Sequence, residues 1–185
     1  MAAGEASDED LMRQVARGLA DRLETLMRRY AVRLTTFLCR MVGDRHRAEE
    51  LFQEVFLAVW LKRHLFDPDR AFRPWLFTVA VNACRAAFRR RVLPVASLGE
   101  ADPADMGETP PDRLCAVETA AQVSRAVTLL PEQQRTVVVL RIWEELPYAR
   151  IAEIVGCAEG TVRSHMHHGL AALRQHLQPL VESNT

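Results

Sequence analysis

Arg163, Ser164, His165, His167 and His168 put one guanidinium, one hydroxyl and three imidazoles into a short stretch near the C-terminus. Side chains of these types, presented outward by a helix, can hydrogen-bond to base edges and phosphates in a DNA major groove. His165 and His168, one helical turn apart and with Cys157 upstream, could instead be imagined as metal ligands, but neither an HExxH motif nor a carboxylate cluster accompanies them. The elements around these residues favour the groove. Ile151, Ala152, Ile154 and Val155 recur at helical spacing, Pro147 is tolerated in an early turn, and Gly156 can take the left-handed conformation that stops a helix. Thr161 is expected to open a second helix, with Val162, Met166, Gly169, Leu170 and Leu173 turned inward and the polar, basic set turned out. This is a helix-turn-helix signature running from Leu146 to Leu177. The plainer alternative is a helical hairpin with a solvated face.

The N-terminal part must be helical too. One helix is expected from Asp8 to beyond Leu38, with Leu23, Leu26, Met27, Tyr30, Leu34, Phe37 and Leu38 on one face. Gly43 and Asp44 end it. A second should start near Arg47, with Leu51, Val55, Ala58 and Val59 inward and Phe52, Phe56 and Trp60 on an adjoining stripe. A third should run from Arg73 to Arg91, with Pro74 near its start and arginines complementing its C-terminus. Val137, Val138 and Val139 look strand-like, but they follow Pro131 and Glu132, a helix-start pattern. The fold class is therefore all-α.

Twenty-four basic and 24 acidic residues cancel to a formal charge of zero, yet they are segregated. Residues 27–93 hold fourteen cations against six acids, whereas residues 94–118 hold one arginine against six acids. A basic block followed by an acidic connector suggests that one domain meets a polyanion and the connector does not. Lys62 is the only lysine, and arginine's planar fork suits phosphates and base edges. The connector, with its prolines and glycines, reads as a flexible linker, which sets domains at 1–93 and 119–185. Four scattered cysteines without a CxxC pair suit reduced thiols, no basic-then-apolar leader opens the chain, and the apolar run Val55 to Leu61 is too short to cross a bilayer. A cytoplasmic protein without membrane insertion is the expectation, and no cofactor or catalytic group is called for.

Taken in order, AEELFQEVFLAVW, FRPWLFTVAVNACRAAFRRR, an acidic linker and LPEQQRTVVVLRIWEELPYARIAEIVGCAEGTVRSHMHHGLAAL resemble the extracytoplasmic-function (ECF) class of bacterial RNA polymerase sigma factors. The resemblance implies a region 2-like helical bundle and a region 4-like helix-turn-helix domain. The helix from Ala48 to Trp60 would dock on core RNA polymerase, with Glu50, Gln53 and Glu54 as polar contacts and Leu51 and Phe56, equally readable as core, as apolar ones. The segment from Phe66 to Arg91 would open promoter DNA and hold the single-stranded minus-10 element. Capture of an unstacked strand needs aromatic pockets and backbone cations, and Arg73, Trp75, Phe77, Asn82, Arg85, Arg89 and Arg90 are the right types, although Trp75 also suits the core. The C-terminal domain would bind the double-stranded minus-35 element through Thr161, Arg163, Ser164, His165, His167 and His168. An anti-sigma factor is a further partner the resemblance allows. The chain departs from the family where His165 and His168 stand in place of the more usual arginines, and where Ala149 and Arg150 stand in place of acids. A helix-turn-helix regulator acting without polymerase is the alternative; it would call for a ligand pocket or dimer interface in the N-terminal half, which is instead basic and carries the QEVF and PWLFTVAVN segments.

Overall fold

The computed structural model describes residues 6–92 and 122–182, and every regular element among them is helical. The acidic connector of residues 94–118 lies outside the described residues. Helices α1 (Asp8–Ala16), α2 (Ala20–Val42), α3 (Arg45–Leu61) and α4 (Phe72–Val92) are followed by a helical segment α5 (122–128), then α6 (Glu132–Ile142), α7 (Tyr148–Val155) and α8 (Glu159–Glu182). The described residues divide into two compact units, 6–38 with 49–92 and 39–48 with 122–182.

In the first unit the single long helix expected from Asp8 is two helices. Gly18, at φ +95°, takes a left-handed conformation that ends α1, and Leu19 lies in the break before α2. The apolar period runs on through the break, so only the glycine marks it. The short α1 is tied down by its own acidic first turn. Ser7 caps it by accepting from the Asp10 N–H at 3.0 Å, and Asp8 accepts from Arg29 at 2.8 Å and from the Tyr30 hydroxyl at 2.6 Å. Glu9 accepts the N–H of Phe72 at 2.8 Å, so one carboxylate on α1 satisfies a donor of the first turn of α4. Burial, and then the bond to Asp8, hold the Tyr30 phenol above its usual ionisation range, which keeps it a donor.

Around these anchors Leu26, Leu34, Phe37, Leu38, Leu51, Val55, Val59, Phe72, Leu76, Phe77 and Val81 fill a core. The Phe37 and Phe77 rings meet edge to face at 5.0 Å, joining α2 to α4. Asp44, as the sequence suggested, punctuates the chain: its carboxylate accepts from the Arg47 N–H at 2.7 Å and caps α3, which begins at Arg45.

In the second unit the valine run is helical. Thr136 through Leu140 are all buried, so α6 is enclosed on nearly every side and a β-branched sequence is overridden by packing. Arg135 closes the turn between α5 and α6 by donating to the carbonyls of Thr128 and Leu130. Helix α7 ends at Gly156, whose φ of +79° is the left-handed cap expected of it, with its N–H on the Ala152 carbonyl at 2.8 Å. Helix α8 packs on both α6 and α7. A Cβ at Gly169 would stand 2.7 Å from a Val138 methyl, so the absence of a side chain there sets how closely α8 lies on α6.

Candidate nucleic-acid interface

Three exposed stripes emerge when each helix is read at about 100° per residue. On α3, Glu50, Gln53, Glu54, Leu57 and Leu61 share the side opposite the buried line of Leu51, Val55 and Val59. Gln53 and Glu50 are exposed and Glu54 half-buried. Leu51 and Phe56, expected as apolar partner contacts, are 0% and 2% exposed and belong to the core of the unit. The large apolar side chains most exposed on this helix are Leu57 at 58% and Leu61 at 60%, with Phe52 and Trp60 half-buried. Leu51 lies on the inward line that its helical spacing with Val55 and Val59 gives it, and Phe56 adjoins that line; the apolar run from Val55 to Leu61 contains both faces of the helix, so no polarity marks its outer leucines.

On α4, Trp75, Thr78, Asn82, Arg85 and Arg89 line one stripe about 21 Å long. Asn82 and Arg89 are exposed, whereas Trp75 and Arg85 are half-buried. Trp75 belongs to an aromatic cluster, with its ring 5.3 Å from Phe66 and 6.0 Å from Phe72, so one part of it packs while the rest is accessible. Phe77, expected among the strand contacts, is instead 0% exposed and lies off the stripe in the core, where it packs on Phe37. Arg73 also lies off the stripe. Arg90 sits beside it and reaches across to α3, donating to Glu54 at 2.9 Å. Two residues that the sequence assigned to different partners are thus in contact.

On α8, the helix begins at Glu159, two residues before Thr161, and the N–H groups of Thr161 and Val162 both bond to the Ala158 carbonyl. Val162, Met166, Gly169 and Leu173 face inward. Leu170, expected with them, stands at the margin of that stripe and is 37% exposed. Thr161, Arg163, Ser164, His167 and His168 are exposed, and His165, rotated toward the buried side, is half-buried. The Ser164 hydroxyl lies 3.4 Å from His168 Nδ1, and the His167 and His168 rings stand edge to face at 5.7 Å. Arg163 donates to Glu159 at 2.5 Å and lies over the Tyr148 ring at 4.6 Å; Arg141 lies over the same ring at 5.2 Å. Tyr148, Glu159 and Arg141 join this surface without having been expected there. Of these, the Glu159–Arg163 spacing of four is the one signal that was available.

Among the described residues no group of three or more His, Cys, Asp and Glu could hold a metal ion, and no helix is long and apolar enough to cross a membrane. What the stripes offer is recognition chemistry: amide, guanidinium, hydroxyl, imidazole and a partly accessible indole on rigid helices.

Two family models match, Sigma-70 region 2 over residues 26–92 and Sigma-70, region 4 over residues 120–173. Among curated relatives, the ECF RNA polymerase sigma factor SigL of Mycobacterium tuberculosis is 34% identical over 170 residues, which is 89% of each chain. The RNA polymerase sigma-H factor of Pseudomonas aeruginosa is 31% identical over 184 residues, or 94% of this chain and 95% of its own. The solved structure of CnrH in complex with the cytosolic domain of CnrY superposes with a TM-score of 0.70 at 23% identity, covering 97% of this chain and all of that one, a likeness of fold. The helical fold, the two matched regions and the relatives along nearly the whole chain agree: this protein belongs to the ECF RNA polymerase sigma factors, which bind core polymerase and direct it to specific promoters.

Proposed function

We propose the following division of labour among the stripes. The first domain, residues 1–93, docks on core RNA polymerase through Glu50, Gln53 and Glu54, with Leu57 and Leu61 rather than Leu51 and Phe56 as the apolar part of the contact. Its α4 stripe holds the melted minus-10 strand: Trp75 offers a stacking surface, Asn82 an amide that can read a base, and Arg85, Arg89 and Arg90 offset backbone charge. The second domain, residues 119–185, places α8 in the major groove of the minus-35 duplex, with Arg163, Ser164, His167 and His168 against bases and phosphates and Thr161 near the backbone at the helix start. The acidic linker, residues 94–118, joins the two.

The observation that carries this reading is the arrangement of α8. Its buried line rests on α6 and α7, so its polar face is aimed outward by a rigid scaffold, as duplex reading requires. The protein works in the cytoplasm beside polymerase, has no catalytic chemistry of its own and needs no cofactor. An anti-sigma factor that holds it inactive would cover one or more of the three stripes on α3, α4 and α8.

The docking assignment is tested by replacing Gln53 with Ala and Glu54 with Arg together. Affinity for core polymerase should fall by about 2 kcal/mol or more, the mark of an interface hot spot, with the fold intact by circular dichroism. Unchanged affinity of the folded double variant would move docking to another surface.

A further inference from the structure

We propose that Tyr148 is the positioning residue for Arg163, and that its ring rather than its hydroxyl does this work. The inference rests on the reading of α8 as the groove-facing helix. Arg163 stands at the edge of the exposed stripe, between the side that faces outward and the side that rests on the scaffold. Left to itself, so long a side chain would sample many rotamers and lose that freedom on meeting a base or phosphate. Two contacts restrict it. Glu159, one turn earlier on the same helix, accepts from its NH2 nitrogen at 2.5 Å, but an exposed ion pair is a weak tether that salt screens. The Tyr148 ring, with its centroid 4.6 Å from the guanidinium carbon, comes from a different helix and limits where the fork can lie.

The ring is itself held. Tyr148 is the first residue of α7, half-buried, and Arg141 from α6 lies over it at 5.2 Å while donating to the Leu146 carbonyl at 3.3 Å. Tyr148 cannot swing away without releasing a second guanidinium. Side chains from α6 and α8 therefore converge on one ring from α7, and the turn between α7 and α8 that sets the helix angle also sets the aim of the arginine. No hydrogen bond of the Tyr148 hydroxyl enters this arrangement, so phenylalanine should replace tyrosine, and tryptophan, with its stronger ring quadrupole, should serve as well.

The experiment uses the full chain assembled with core polymerase and measures binding to a promoter with its matched minus-35 duplex. Tyr148→Leu should weaken binding about two- to fivefold, Tyr148→Phe and Tyr148→Trp should stay within about twofold of the parent, and Tyr148→Leu should add nothing once Arg163→Ala is present. If Tyr148→Leu fails to fold, Tyr148→Met supplies the ring-less variant. Equal losses for the Phe and Leu variants, or effects of Tyr148→Leu and Arg163→Ala that multiply, would overturn the positioning role while leaving α8 in the groove. An Arg163→Ala variant that bound like the parent would overturn the groove assignment, and the role of Tyr148 with it.

Discussion

Helices α4 and α8 are similar in length, 21 and 24 residues, and each turns a polar stripe to solvent, but they are charged by different means. Helix α4 carries Arg73, Arg85, Arg89, Arg90 and Arg91, whereas α8 carries Arg163 and Arg174 with four histidines, His165, His167, His168 and His176. A melted strand is flexible and has no fixed phosphate register, so on the proposed reading permanent cations on α4 would hold its backbone while stacking and an amide meet its bases. A duplex already presents its phosphates in a fixed register, and a face of hydroxyl, imidazole and one well-aimed guanidinium can select sequence with fewer charges. The comparison predicts capture by α4 that rests mainly on permanent backbone charge with Asn82 as its base reader, and contact by α8 that rests less on permanent charge.

The largest expected effect sharpens the boundary between scaffold and surface in the first unit. Leu51→Ala should cost about 2–5 kcal/mol of unfolding free energy as a core truncation. Replacing Leu57 and Leu61 by Ser should leave thermal stability nearly unchanged and instead weaken core polymerase binding. Calorimetric melts beside polymerase affinity measurements read both, and the reverse pattern would restore Leu51 to the interface.

Asn82→Ala tests the α4 side of the comparison. Core binding should be kept, and discrimination between matched and mismatched minus-10 sequences should fall by about 1–3 kcal/mol, the worth of an amide reading a base. Permanganate reactivity of the opened region on both templates is the measurement. Unchanged preference would leave α4 as a holder of backbone only.

The smallest effect concerns the imidazoles of α8. His168 is exposed beside Ser164 whereas His165 is half-buried, so His168→Arg should account for most of the gain from replacing both. Binding to the minus-35 duplex should tighten, and the logarithmic salt slope should steepen by about 0.9 for each phosphate newly met. Equal gains from the two single variants, or none, would show that the exposed stripe has been drawn in the wrong place.

The elements that carry local punctuation could be read from residues alone. Gly156 ends α7, Gly43 and Asp44 end α2, and Pro131 with Glu132 overrides the strand-like valines of α6. Where punctuation is weak or contact is distant, the sequence misleads. Gly18 interrupts an apolar period that continues on both sides of it, so one helix was expected where there are two. The run from Val55 to Leu61 has no polar residue to mark its outer face, so the exposure of Leu57 and Leu61 could not be read from it, and the buried Leu51 and Phe56 were named as contacts from the family resemblance instead. The stack of Arg141 and Arg163 on Tyr148 joins three helices, and no spacing along the chain announces it. Asn82, Arg89, Arg163, Ser164, His167 and His168 are all solvent-exposed, as their proposed roles demand.

The acidic first turn of α1 bears on where the first domain can be cut. The matched region 2 begins at residue 26, downstream of Asp8 and Glu9. A fragment trimmed to that boundary would leave the Tyr30 hydroxyl and the Phe72 N–H without the carboxylates that accept from them, and would strip Leu11, Met12 and Val15 from the packing. The smallest autonomous version of this domain is therefore longer than its family resemblance, and an affinity tag or fusion partner belongs upstream of Ser7, where it leaves the cap of α1 intact.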